Sequence, residues 1–358
     1  MRTGEEATVA KAGPDIRGLE LFELKALVKD LGEPAYRAKQ LAEWAFERGA
    51  GSFDEMTNLS KALRSRLSEE TRLARADVIE EHESKSDGTR KLRLEFDDGE
   101  SIEAVLLRDE DRITGCVSSQ VGCKFGCSFC ATGSMGFTRD LTAGEIVAQI
   151  VALRRAAEPE RLGNLVFMGM GEPMDNYDNV LKAIRIANAQ WGLGIGARRI
   201  TVSTAGHVPG IRRLADEGLQ LELAVSLNAP TQELRSTIMP IADAFSLTQL
   251  TAAIEHYSAV TGRRATLEYV LLRDINDSPE MATELAAIAR RLLCKVNLIC
   301  YNETPDSVYA PPTDRAVDRF FSRVRKRCPT VVRRVSRGGD IAAGCGQLCV
   351  PRARDKGM

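Results

Sequence analysis

The sequence is poor in aromatic residues, 5% of 358 positions, and holds only two tryptophans. No RNP-type aromatic motif occurs among them, which removes a common stacking platform for single-stranded RNA. Histidine is scarcer: His82, His207 and His256 are the whole set, and none stands near a CxxC pair. Zinc sites normally close a tetrahedron with a second Cys or His pair, so zinc is the weaker reading of any cysteine cluster here. Long apolar runs are missing too. Nothing approaches the roughly 20 apolar residues of a membrane helix, and the opening MRTGEEATVAKAGPDIRG has no apolar signal core. The expectation is a cytoplasmic protein with no membrane partner. Net charge, at −1, is nearly absent and by itself argues neither for nor against a nucleic-acid partner.

What is present is the composition of an ordinary globular chain, 44% hydrophobic and 28% charged, long enough for one large domain or a domain with an appendage. Such a chain needs no covalent staples. Its nine cysteines, an odd number unevenly spaced, therefore point to metal or redox chemistry rather than to structural disulfides. Charge is spread unevenly. From Thr313 onward there are 12 Lys/Arg and 4 Asp/Glu, and 12 minus 4 gives +8, concentrated in RVRKRCPTVVRRVSRGG. That tail reads equally as an anion-binding face or as a solvated helix surface.

Residues 19–69 read as short amphipathic helices, LELFELKALVKDLG, YRAKQLAEWAFERG and NLSKALRSRLSEE, punctuated by Gly32, Pro34, Gly49 and Gly51. KLRLEFDDGESIEAVLL follows as two strand-like runs around an Asp-Asp-Gly turn, a hairpin pattern. From Arg112 onward the strand-like runs ITGCVSS, NLVFMGM, RITVSTA, LELAVSL, TLEYVLL, CKVNLICY and TVVRRVS appear in turn. Helical runs such as TAGEIVAQIVALRRAA, NVLKAIRIANAQ and PEMATELAAIARRLL sit between them. This rhythm predicts an α/β fold, a parallel sheet with crossover helices curled into a full or partial barrel. The expected division is an N-terminal helical module with its linker (1–90), a β-hairpin extension (91–112), the α/β core (113–348) and a tail (349–358). In such folds chemistry collects on loops at the C-terminal ends of strands.

VGCKFGCSFCATG, residues 121–133, spaces Cys123, Cys127 and Cys130 as CxxxCxxC just after the first core strand. Three thiolates on a four-iron cluster leave one iron without a protein ligand, and a catalytic cluster needs that open position. Three buried thiols in a loop is the bland alternative. MGMGEPMDN at 168–176 ends the next strand with glycines that let the backbone approach a ligand, and Glu172 presents a carboxylate there. By composition alone it is as readily a strand-ending turn.

With its cysteine loop between a strand and a helix, the chain resembles the radical S-adenosylmethionine (SAM) enzymes. The resemblance implies a [4Fe–4S] cluster on Cys123, Cys127 and Cys130, SAM chelated at the open iron, and a 5'-deoxyadenosyl radical released by one electron. It also implies a core of the partial (βα)6-barrel type, with a small helical domain before it. The GEP of residues 171–173 is similar to the element that holds the ammonium group of SAM, although the first glycine of the usual pair is displaced here. From Leu19 to Leu348 the chain more closely resembles the RlmN/Cfr group of RNA adenine methyltransferases. CVSSQVGC, FCATG, MGMGEP, VSTAG, AVSLNAP, KVNLICYN and GDIAAGCGQL carry that likeness. DGESIEAVLL and CVSSQVGCKFGCSFCATG are more similar to RlmN than to Cfr.

The likeness to RlmN implies methylation of carbon 2 of adenosine in 23S rRNA and tRNA, with two SAM molecules per turnover. Carbon 2 is neither acidic nor nucleophilic, so a radical route removes the obstacle to a polar transfer. By motif, Cys345 in GCGQL would carry the methyl group as S-methylcysteine, with Gly344 and Gly346 leaving room for a base. Cys116 would resolve the adduct through a transient disulfide with Cys345, and Glu103 would be the proton acceptor. Taken alone, these residues are as well explained by core packing or by a strand surface. SAM contacts would come from Gly171, Glu172, Ser203, Ser226, Leu227, Asn228 and Asn302. Many relatives have His where Asn228 stands, and Asn-Pro-Phe where this chain has Asn302, Glu303 and Thr304. Cys294, Cys300 and Cys328 read as structural, and Cys349 as a spare thiol near the site. RNA would be met by the basic C-terminal segment and by Lys25, Lys29, Arg37, Lys39, Arg48, Lys61, Arg64 and Arg66 of the helical module. A flavodoxin or ferredoxin would supply electrons to a monomeric enzyme. Methylation at carbon 8, as in Cfr, and a non-catalytic metal-bearing RNA-binding protein are the alternatives.

Overall fold

In the computed structural model of the chain, residues 13–109, 112–292, 294–304, 307–328 and 330–350 are described. Residues 1–12 of the expected N-terminal module and 351–358 of the expected tail lie outside them. The main sheet opens on charge. β1 (Asp77–Glu83), with the sequence DVIEEHE, is exposed at every position and pairs on one side only, antiparallel to β2 (Arg90–Glu95). Acidic side chains on an edge strand discourage another chain from adding to it. This strand corrects the sequence reading, which left residues 77–83 in the linker of the helical module. With two adjacent apolar residues and no alternation, the stretch carries no strand signal.

β2 and β3 (Ser101–Asp109) form the expected hairpin, and β3 pairs antiparallel with β4 (Arg112–Cys116). β5 (Gln120–Gly122) and β6 (Phe137–Asp140) form a small sheet of their own at the base of the cysteine loop. The main sheet continues in parallel from β4 through β7 (Leu162–Phe167), β8 (Ile200–Thr204), β9 (Glu222–Ser226), β10 (Thr266–Leu271), β11 (Lys295–Cys300) and β12 (Val331–Arg334). Each strand-like run expected after Arg112 is one of these strands. Helices cross between them at Ala143–Ala157, Tyr177–Asn188, Val208–Asp216, Leu247–Thr261, Pro279–Leu292 and Asp314–Arg325, the partial (βα)6 pattern. The middle strands are largely buried on both faces because helices cover one side and the lumen of the partial barrel the other. The helices meet them with one stripe: Val317, Phe320 and Val324 are the buried residues of Asp314–Arg325.

The sheet does not close on itself, because β1 and β12 remain at opposite ends. The chain after β12 crosses that gap. Arg337 donates to Arg108 O and to Asp109 Oδ1 (2.6 Å), Gly338 N donates to Asp87 Oδ2 (2.9 Å), and Asp340 accepts from Ser84 Oγ (2.6 Å) and Lys85 N (3.0 Å). Residues 337–350 are thereby strapped over the mouth, bringing the only GCG of the sequence beside the strand ends.

The helical module is organised around Arg17, which is buried. Its guanidinium donates to the carbonyls of Ala45, Ala74, Gly49 and Ala50, tying the first turn to two distant loops. The module docks on the N-terminal end of Ala143–Ala157, where a Cβ on Gly144 would stand 1.7 Å from Asp15 Oδ2. Lys182 pairs with Glu23 at 2.8 Å across the same junction. The expected amphipathic helices are present as Leu21–Asp30, Arg37–Ala42 and Lys61–Glu70, with one wide turn of π-helix at Glu43–Glu47.

Candidate active site

Gly122 ends β5 with φ +77°, and a Cβ there would lie 1.9 Å from Gly136 O. Only glycine lets the chain turn this sharply while Cys123 N bonds that same carbonyl at 2.9 Å. The loop so closed carries Cys123, Cys127 and Cys130. Its far side is tied down: Ser128 N bonds Ile238 O at 3.1 Å, Ala131 N bonds Gly346 O at 2.8 Å, and Thr132 Oγ1 bonds Leu348 O at 2.6 Å. The cysteine loop, the helix Gln232–Ile238 and the C-terminal strap are thus one hydrogen-bonded unit.

These parts enclose a cavity of about 160 Å³ at the C-terminal ends of the parallel strands. Of the residues expected from sequence, Cys123, Cys127, Cys130, Gly171, Glu172, Ser203, Ser226, Asn228 and Cys345 line it. Cys116 ends β4 as a buried thiol close enough to Cys345 to feel its charge. Leu227 is fully buried. Asn302 donates to Cys345 O at 3.2 Å, so it touches the strap. A Cβ on Gly344 would collide with Asn302 Nδ2 at 2.6 Å. The bareness of Gly344 therefore admits this asparagine, a correction to the reading that it leaves room for a base.

Asn228 sits at φ +53°, with Oδ1 accepting from Val270 N at 2.9 Å and its own carbonyl accepting from Asn276 Nδ2 at 2.7 Å. Much of its polar capacity is spent on holding the β9 turn. Glu103 is buried rather than a surface strand residue, and lies off the cavity wall. Oε1 pairs with Lys91 Nζ at 3.0 Å and Oε2 accepts from Cys349 N at 2.9 Å. Cys349, the spare thiol, thus touches the expected proton acceptor through its backbone.

Burial dominates the electrostatics. It pushes the Cys123 thiol up to about 11, with the Glu172 and Cys130 charges adding to the rise. Cys127 is raised further, by burial first and then by Cys130 and Cys123. Cys116 is pushed up to about 12 by burial and by Cys345. Cys345 itself is reachable from the cavity, yet the surrounding protein raises its thiol, while Arg334 opposes the rise. Glu172 is raised to about 7 by burial, against hydrogen bonds from Ala205 N (2.7 Å) and Met174 N (3.0 Å).

The donor set fits the implied groups. The half-buried Cys123 and Cys127 thiols resist ionisation on their own, and a cationic metal centre is what makes neighbouring thiolates stable. Among the described residues no three His, Cys, Asp or Glu side chains gather tightly enough for a single metal ion. The three thiols are spaced around the cavity for a larger group. Glu172 makes no ion pair among the described residues, so a ligand ammonium would be the cation its carboxylate lacks.

Three charged residues of the site went unread in the sequence. Arg334 of β12 and Glu268 of β10 face the lumen beside Cys345, and Glu268 Oε2 is buried without a hydrogen-bond partner among the described residues. Arg235, on Gln232–Ile238, is fully buried. A charge inside an apolar run, as in TLEYVLL, was the available signal for Glu268. In TVVRRVS, strand alternation forces one of two adjacent arginines inward.

A parallel partial barrel with a CxxxCxxC loop and a carboxylate at its strand ends defines a radical SAM enzyme. The radical SAM superfamily matches residues 117–286, and the ribosomal RNA large subunit methyltransferase N-terminal domain matches residues 14–73. A probable dual-specificity RNA methyltransferase RlmN from Symbiobacterium thermophilum is 46% identical over 334 residues, 92% of this chain and 90% of that protein. Its namesake in Clostridium perfringens strain 13 is 42% identical over 344 residues, 96% and 99% of the two chains. The crystal structure of a radical SAM methyltransferase from Sphaerobacter thermophilus, 46% identical, superposes with a TM-score of 0.90 over 93% of this chain and 98% of that one. The chain belongs to the RlmN family of radical SAM methyltransferases. With that family it shares the use of a [4Fe–4S] cluster and SAM.

Proposed function

We propose that this enzyme methylates carbon 2 of adenosine in 23S rRNA and in tRNA, carrying the carbon on Cys345. The single observation that supports this most is the accessible Cys345 thiol on the same cavity as Cys123, Cys127, Cys130 and Glu172, with Cys116 in electrostatic reach. When bound, the cluster and SAM supply the methyl group and a 5'-deoxyadenosyl radical. Glu172 orients SAM through its amine, and Gly171, Ser203, Ser226, Leu227, Asn228 and Asn302 complete its pocket. Cys345 holds the carbon as a thioether facing the base. Once the carbon is bonded to the base, and the adduct has returned its unpaired electron to the metal centre that would supply the radical, the Cys116 thiolate attacks the Cys345 sulfur. The disulfide forms, the sulfur–carbon bond breaks, and its electron pair stays with the carbon, which takes a solvent proton. Glu103 takes the ring proton, which requires it to exchange the Cys349 amide for the base. In this reading the strap shifts when RNA enters.

Residues 1–90 serve as the RNA-binding module with its linker, the linker supplying β1 to the main sheet, and 91–112 as the extension that carries the proton acceptor, with 113–348 as the radical SAM core and 349–358 as a tail. Lys25, Lys29, Lys39 and Lys61 are exposed and are the module's available phosphate contacts. Arg37, Arg48 and Arg66 are paired with Glu33, Glu43 and Glu70, which narrows the basic surface read from sequence. The C-terminal charge is divided likewise. Arg315, Arg319, Arg323 and Arg325 are exposed, whereas Arg334 faces the cavity and Arg337 fixes the strap. A cytoplasmic monomer drawing electrons from flavodoxin or ferredoxin completes the reading. No helix among the described residues is long and apolar enough to cross a membrane. The test is Cys345→Ala: methylated RNA disappears while iron content and the cluster spectrum stay at wild-type levels. Normal turnover by that variant would reject Cys345 as the carrier.

A further inference from the structure

Arg235 poses a physical problem that the reading above leaves unsolved. It is fully buried, on a helix whose last carbonyl, Ile238 O, is bonded by Ser128 N of the cysteine loop at 3.1 Å. Nε donates to Leu227 O at 3.3 Å, and Nη2 to Ser226 O at 3.4 Å and to Ala205 O. Nη1 has no hydrogen-bond partner among the described residues. No carboxylate pairs with this guanidinium among the described residues, and a buried cation without a counter-ion is costly. Holding three carbonyls is not a sufficient reason for the charge, because a neutral amide could serve part of that role and would leave no orphaned donor.

Ser128, whose N holds the last carbonyl of the Arg235 helix, is the neighbour of Cys127, so the guanidinium lies on the Cys127 side of the cysteine loop, where the charge of Cys127 bears on it. As a metal-bound thiolate Cys127 would be an anion near a buried cation, where little water screens the attraction. Resting on the cluster assignment to Cys123, Cys127 and Cys130, we propose that Arg235 is a positioning residue for the metal centre: it is the counter-charge to the Cys127 thiolate and the cluster, and it raises the cluster's reduction potential. Reduction adds one electron to a centre that three thiolates already make anionic, and a fixed cation nearby favours the reduced form. The same guanidinium bonds Ala205 O, while Ala205 N bonds Glu172 at 2.7 Å, so one side chain ties the cysteine-loop wall to the Glu172 carboxylate.

The test is a redox titration of the full chain, reconstituted anaerobically and followed by the electron paramagnetic resonance signal of the reduced cluster. Wild type, Arg235→Gln and Arg235→Lys are compared at equal iron content. The Gln variant is expected to lower the ratio of reduced to oxidised cluster at a fixed potential about tenfold, which is about 59 mV for one electron. Lysine keeps the charge and stays within about threefold of wild type. A Gln variant with full iron and an unshifted titration overturns the inference, as does a Lys variant that falls as far as Gln. Should the Gln variant fail to fold, Arg235→Met, which also removes the charge, is titrated in its place with the same tenfold expectation, and an unshifted Met variant at full iron overturns the inference. Wild-type protein that takes up no cluster overturns the metal-centre reading itself, whereas a loaded wild type beside an unshifted Gln variant overturns only the role of Arg235.

Discussion

Glu172→Gln should weaken SAM binding in a way that grows with pH. The carboxyl is buried, and its pKa is raised from the ordinary 4.5 to about 7. The shift is upward, so folding favours the neutral form. Relative to an unshifted glutamate, that contributes stability present below about 4.5 and lost as pH rises through about 7. A SAM ammonium favours the ionised form instead, so binding is strongest where the carboxylate already exists. With a pKa of about 7, roughly one molecule in eleven is ionised at pH 6 and roughly ten in eleven at pH 8. Glutamine keeps the shape, loses the charge and does not titrate. A charged hydrogen bond of about 2 kcal/mol makes the variant bind about 30-fold more weakly at pH 8, and the ionised fractions reduce this to about threefold at pH 6. SAM's own amine titrates in the same range but acts on both proteins, so the ratio of their dissociation constants isolates Glu172. Calorimetry of SAM with the cluster-loaded chains at pH 6, 7 and 8 measures that ratio. A ratio that stays flat between pH 6 and 8 would refute the assignment of Glu172 to the SAM amine.

Two further outcomes test other parts of the site. Gly122→Ala places a Cβ against Gly136 O in a left-handed conformation; we expect a loss of about 1–3 kcal/mol in chemical denaturation and fewer irons per chain, and unchanged iron content would show that the loop tolerates the strain. Cys116→Ala should leave enzyme covalently attached to RNA, visible as a shifted band under denaturing conditions, and free, fully active protein would exclude a resolving role.

The parallel core was legible because its strands are continuous apolar runs separated by amphipathic helices, so TLEYVLL or LELAVSL could scarcely be anything else. DVIEEHE was not, since an exposed edge strand buries nothing and leaves no pattern. The cysteine loop announced itself by spacing, and Gly122 shows why that spacing can fold. What stayed hidden was charge placed inside: Arg235, Glu268 and Arg334 look like surface residues until the fold turns them inward. Glu103 was found through its motif, but its partners Lys91 and Cys349 come from a neighbouring strand and from the far end of the chain. Local patterns carry no information about such meetings. The basic C-terminal segment was legible as charge only, and tertiary structure divides it between an exposed helix face, the cavity and the strap.

The account's central claim is that carbon reaches adenine through Cys345 as a radical methylene unit. It is tested most directly by incubating the loaded enzyme and RNA with SAM whose methyl group is fully deuterated, then analysing the nucleosides by mass spectrometry against carbon-2 and carbon-8 standards. The account predicts 2-methyladenosine lacking one of the methyl deuterons, replaced by a solvent proton. A methyl group transferred with all its deuterium, or a product methylated at carbon 8, would contradict it.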